Sequence, residues 1–104
     1  MRMLMRVIIP NETGNAAVRK GTLESTIKKI LADLKPEAVY FVATDSGERC
    51  GLIFFDMKDS SELPGVAEPW FLAFNAAVEI HPVMVPDDLF KAGPSIDAAV
   101  RSYG

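Results

Sequence analysis

Cysteine and histidine are almost missing from this sequence. Its 104 residues include one cysteine, Cys50, and one histidine, His81. A lone cysteine excludes an intrachain disulfide and any metal site built on thiolates. His81 and a neighbouring Glu79 are too few ligands for a metal centre, so neither metal nor cofactor is expected. The absence of disulfide partners fits a reducing, cytoplasmic setting. Long hydrophobic runs are also lacking. The apolar start, residues 1–9, is interrupted by Arg6 and closed by Pro10, too short for a secretion signal or a membrane span. There is no Lys/Arg run. The 11 basic and 14 acidic side chains are interspersed and leave a net charge of −3, which argues against a nucleic-acid partner. No glycine-rich phosphate loop and no Ser/His/Asp arrangement is present.

What is there is ordinary globular material. Apolar residues make up 49% of the chain and charged ones 24%, enough for one folded domain over 1–104. Residues 2–9 alternate as a strand, with Met3, Met5, Val7 and Ile9 on one face and Arg2, Leu4, Arg6 and Ile8 on the other. The segment 10–15 reads as a loop. Leu23, Ile27, Ile30, Leu31 and Leu34 keep helical spacing and predict a helix over 16–34, with Gly21 its weak point and Pro36 its end. Two strands follow, 38–44 and 49–56, around Asp45-Ser46-Gly47-Glu48. Pairing Thr44 with Arg49 puts Val39, Phe41, Ala43, Cys50, Leu52 and Phe54 against the helices. Asp59-x-x-Glu62 has the form of a capping box and opens a helix across 60–75 that Pro69 is expected to break. A last strand spans 76–85, at an edge because Pro82 cannot donate to a ladder. Residues 92–104 form a tail or short helix with Ile96, Val100 and Tyr103 on one side.

The order β-α-β-β-α-β is the split βαβ pattern of an α+β, ferredoxin-like fold. Right-handed crossovers then give a four-stranded antiparallel sheet of order 4-1-3-2 with the helices on one face. The opposite face is expected to carry Leu4, Ile8, Tyr40, Val42, Ile53, Phe55 and Val83. An apolar patch of that extent calls for a cover, and a second copy packed sheet to sheet supplies it. A homodimer through this face is therefore expected.

Three stretches carry a family resemblance: 51–59 (GLIFFDMKD), 67–71 (AEPWF) and 78–84 (VEIHPVM). Together they resemble the dimeric α/β-barrel proteins, and within them the muconolactone-isomerase-like group or a related uncharacterised small bacterial family. The resemblance covers about residues 1–92. It implies a paired barrel and a superfamily that ranges from cofactor-free isomerases through monooxygenases and haem proteins to members without activity, so it assigns no catalytic residue.

The chemistry-bearing residues of the open face are few. Glu79 and His81, two apart on one strand, would move a proton between carbons of a bound small organic acid. Arg6 on the neighbouring strand would hold its carboxylate. Tyr40 would line the ligand's place, and Trp70 would line a pocket mouth if it points to a break at Pro69. The plain alternative makes Arg6 and Glu79 a self-satisfied cross-strand ion pair, His81 an interface residue, Trp70 core and Cys50 an inert buried thiol. Two functions follow: a cofactor-free isomerase or lyase acting on a small organic acid, or a non-catalytic homodimer that binds a small ligand or serves as an accessory subunit. The first requires a cavity reached by Arg6, Tyr40, Glu79 and His81. The second requires a filled barrel interior, or a pocket with no titratable pair.

Overall fold

The computed structural model describes residues 1–104. Strand β1 (Arg2–Ile9) is followed by helices α1 (Asn11–Lys20) and α2 (Leu23–Leu34). Strands β2 (Ala38–Ala43) and β3 (Arg49–Asp56) come next. A 3₁₀ turn (Ser60–Glu62) leads into α3 (Leu63–Phe74), then strand β4 (Ala77–Pro82), α4 (Pro86–Lys91) and α5 (Gly93–Tyr103). The four strands form one antiparallel sheet of order β2-β3-β1-β4. This is the ferredoxin-like order expected from the element sequence, with α1, α2 and α3 on one face.

Helix α1 takes up the segment read as a loop. Its sequence has no apolar stripe to announce it, and its ends explain it. The Gly14 N–H donates to the Pro10 carbonyl at 2.9 Å. Gly21, with φ of 72°, closes the helix: its N–H donates to Val18 and that of Thr22 to Ala17, the paired bonds of a Schellman ending. The Thr13 hydroxyl donates to the Phe74 carbonyl at 2.7 Å and pins α1 to the end of α3. The single helix expected over 16–34 is therefore two, joined at Gly21.

The hairpin differs from expectation by one residue. Thr44 and Glu48 pair across the turn, the Gly47 N–H donates to the Thr44 carbonyl, and Gly47 has φ of 82°. A turn followed by a left-handed glycine is the three-residue loop with a bulge. Ala43 consequently faces Arg49, and every β3 side chain lies opposite to the expected face. Ile53 and Phe55 enter the helix-side core, and Leu52, Phe54 and Cys50 belong to the open face. The core comprises Met3, Met5, Val7, Ile9, Ile53 and Phe55 from the sheet, capped by Ile30, Trp70 and Phe74.

Pro69 does not break its helix: α3 is continuous from Leu63 to Phe74. Proline inside a helix costs about 3 kcal/mol. Burying Trp70 and Phe74 contributes roughly 1.5–3 kcal/mol each, enough to hold the helix together. At its start the Glu62 carboxylate accepts the N–H groups of Lys58 and Asp59 at 2.8 and 2.7 Å, the glutamate half of the capping box. Asn75, left-handed at φ 53°, ends it.

Helices α4 and α5 leave this body. Their apolar residues Leu89, Phe90, Ile96, Val100 and Tyr103 are exposed, Tyr103 by 92%. The molecule measures 58 × 29 × 20 Å with a radius of gyration of 17.3 Å, against about 13 Å for a compact chain of this length. No helix is long and apolar enough to cross a membrane.

Candidate functional site

The open face of the sheet gathers four of the five residues singled out in the sequence. Arg6 stands directly opposite Glu79 across β1 and β4, and His81 follows opposite Leu4. The Arg6 Nη1 donates to the Glu79 Oε2 at 2.7 Å, with the two side chains 40% and 48% exposed. This bond and the charge of Glu79 raise the Arg6 pKa above its already high ordinary value. Tyr40 lies on β2 at the far edge, edge-on to Phe54 with ring centroids 6.3 Å apart. Strands β3 and β1 separate Tyr40 from His81. A hollow of about 420 Å³ lies beside Arg6, Ile8, Val42 and Leu52, without Tyr40, Glu79 or His81.

Trp70 is elsewhere. It is 1% exposed, stacked on Phe74 in the helix-side core, because α3 runs through Pro69 without the break that would have turned it to a pocket mouth. Its indole N–H is buried without a partner. Cys50 is buried as expected but belongs to the open face, beside Ile8 and Val42. No three His, Cys, Asp or Glu side chains come together in a metal-holding group.

A larger concavity lies on the other side of the sheet. It is a groove of about 960 Å³ between α2 and the β2–β3 hairpin. Two features of the chain open it. Ile30 of α2 reaches the core, and at the sheet edge Phe41, on the helix side of β2, is left 60% exposed. Leu23, Ile27 and Leu31 form the wall, Phe41 and Ala43 the floor, and Asn11, Asn15, Glu48 and Arg49 the polar end. The volume is at the upper end of small-ligand pockets, and the mix of apolar lining with a few polar groups is theirs as well.

The polar end was hidden from sequence reasoning. Arg49 reaches α1, where its Nη1 donates to the Asn15 Oδ1 at 3.0 Å, and Asn11 donates to the Gly47 carbonyl at 3.2 Å. The one readable sign was Gly47 after Thr44-Asp45-Ser46: taken as a bulged turn, it would have turned Arg49 to the helix side. The other carboxylates at the groove are engaged. Glu48 accepts the Thr44 and Ser46 hydroxyls at 3.2 and 2.7 Å. Glu24 accepts Lys28 at 2.9 Å, which lowers the Glu24 pKa and raises that of Lys28.

No protein-family model matches the chain, and no curated protein matches it. Among solved structures, the chain is similar to a formyltetrahydrofolate deformylase from Pseudomonas putida KT2440, with 16% identity and a TM-score of 0.49. The match covers 80% of this chain and 29% of that one, so the chain spans under a third of that protein's length. At this identity the likeness concerns shape, and neither activity nor substrate passes from that protein to this chain.

Proposed function

We propose that this chain is a non-catalytic, small-ligand-binding domain that works as a homodimer. The observation that supports it is where the groove lies. The groove has an apolar wall and floor and sits between α2 and the hairpin, away from Glu79 and His81. Those two residues stand on the open face of the sheet, with Glu79 held by Arg6. Proton transfer between carbons needs a base within hydrogen-bond reach of an enclosed substrate. The groove favours the second of the two functional readings, because neither Glu79 nor His81 lines it.

The paired state rests on two uncovered surfaces. The open face carries Leu4, Ile8, Tyr40, Val42, Leu52 and Phe54, and the α4–α5 arm carries its own apolar side. Two strands of eight residues and two of six, at about 3.4 Å per residue and about 4.8 Å apart, present on the order of 450 Å². A stable interface needs about 800 Å² from each partner. Sheet-to-sheet packing in a dimeric α/β barrel falls short of this alone, and the arm of each copy, laid on the other, makes up the difference.

Thermal shift with aromatic and aliphatic carboxylates tests the ligand reading. The wild-type chain should be stabilised by at least one, and Ala43→Trp, which fills the groove from its exposed floor, should not be. Glu79→Gln and His81→Ala should behave as wild type. Stabilisation that survives Ala43→Trp but disappears in the Glu79 and His81 variants would return the site to the open face and favour the isomerase.

A further inference from the structure

We propose that the groove takes a ligand with an apolar body and a single carboxylate, and that Arg49 is the group that binds the carboxylate; this rests on the ligand-binding reading above. The basic side chains that lie in ion pairs are those of Arg2, Arg6 and Lys28, each within 2.7–2.9 Å of a glutamate. Arg49 is different. It is half-buried, no carboxylate lies within 4 Å of it, and its one hydrogen bond is to the neutral amide of Asn15. Its Nε and Nη2 make no bond within the protein.

The chain also shapes a seat for it. A Cβ at Gly14 would lie 2.6 Å from the Arg49 Nη1 and 3.3 Å from Ile9 Cγ2, so the backbone of α1 passes against the guanidinium, and a side chain there would push the guanidinium out of this place. Gly14 has an ordinary helical φ, since the left-handed glycines are Gly21 and Gly47 alone; close approach is what calls for glycine here. Glycine within a helix is unfavourable by roughly 0.5–1 kcal/mol against alanine, and the seat gives that choice a physical reason. Gly14 and Asn15 thus fix one edge of a planar, forked cation and leave the rest directed at the groove end.

A guanidinium with two free donors matches a carboxylate in plane. A phosphate dianion asks for more than one free cation, and Lys28, the other one on the groove, is held by Glu24. The apolar stretch of Leu23, Ile27, Leu31, Phe41 and Ala43 then receives a ring or short alkyl chain. An amphipathic monocarboxylate satisfies both ends.

Titration calorimetry on the full chain with 4-phenylbutyrate, 4-phenylbutan-1-ol and 4-phenylbutylamine tests this. The wild type should bind the acid about tenfold or more tightly than the alcohol, as expected of a charge-assisted bond, and the amine more weakly still. Arg49→Met should remove that preference and keep the alcohol's affinity, and Arg49→Lys should keep part of it. Gly14→Ala, with an unchanged circular dichroism spectrum, should lose the preference as Arg49→Met does, which guards against a folding defect in either variant. Equal binding of acid and alcohol to the wild type, or an acid preference that persists in Arg49→Met, overturns the role of Arg49 and leaves the groove standing. Failure of all three probes to bind at millimolar concentration overturns the groove and the role together.

Discussion

Gly47 and Trp70 fix more of this molecule than the residues with obvious chemistry. Gly47 takes a left-handed φ of 82°, where a side chain costs roughly 1–2 kcal/mol. Gly47→Ala should lower the urea-unfolding free energy by about that amount, without loss of the fold. Trp70 is the sole tryptophan and fills the space under α3. Trp70→Ala should cost about 3–5 kcal/mol by the same measurement. Its emission in the native chain should be blue-shifted, because the indole is dry and its N–H unpartnered, and it should move to the red in the same step that unfolds the sheet. The faces of β1, β2 and β4 were legible because alternation alone fixes them. The face of β3 was not, since Cys50, Leu52 and Phe54 are as apolar as Gly51, Ile53 and Phe55. With both sets hydrophobic, the turn glycine decides, and a one-residue difference in the loop moves Arg49 from obscurity to the end of the groove.

Among the elements, the helices show what a sequence pattern hides. Helix α2 is legible from its stripe, and α1 is not, because its Asn, Thr and Gly read as a turn until Phe74, Gly21 and Arg49 are seen to hold it. Pro69 reads as a stop until the burial of Trp70 and Phe74 is weighed against it. Pro69→Ala would restore an N–H to bond the Gly65 carbonyl. Set against the stiffness proline gives the unfolded chain, worth up to about 1 kcal/mol, the gain should be about 1–2 kcal/mol in stability, read by chemical denaturation. Acid should act on the element ends. The Ser61 hydroxyl and backbone lower the pKa of Asp59 at the start of the 3₁₀ turn. The N-terminal ammonium, 2.8 Å away, lowers that of Asp56, and Lys28 lowers that of Glu24. Each carboxyl titrates lower folded than unfolded, so its stabilisation is complete above the ordinary carboxylate range and is lost as pH falls through the depressed folded value. Melting temperature should therefore hold from neutral pH down to that range and decline below it. A melting temperature that rises on acidification would contradict these assignments.

At the scale of the whole molecule, the extended arm and the bare sheet face are the surfaces that the proposed pairing would cover. The full chain should run in light scattering at about twice its 11.4 kDa, and a chain ending at Val85 should run as a monomer or dissociate at micromolar concentration. Sheet order was legible in the sequence, since topology rules set it, but the open face was legible only in part: Ile53 and Phe55, expected there, lie in the core. The arm's separation from the body was not legible, because the stripe Ile96, Val100 and Tyr103 looks the same whether it folds back or reaches out. The groove was hidden for a related reason: it exists where Phe41 on β2 is left exposed, and no residue type records a missing neighbour. The central claim is that ligand enters this groove and not the open face. An amide NMR titration with 4-phenylbutyrate tests it directly. The account predicts shifts concentrated at Leu23, Ile27, Phe41, Ala43 and Arg49, and shifts concentrated at Arg6, Glu79 and His81 would contradict it.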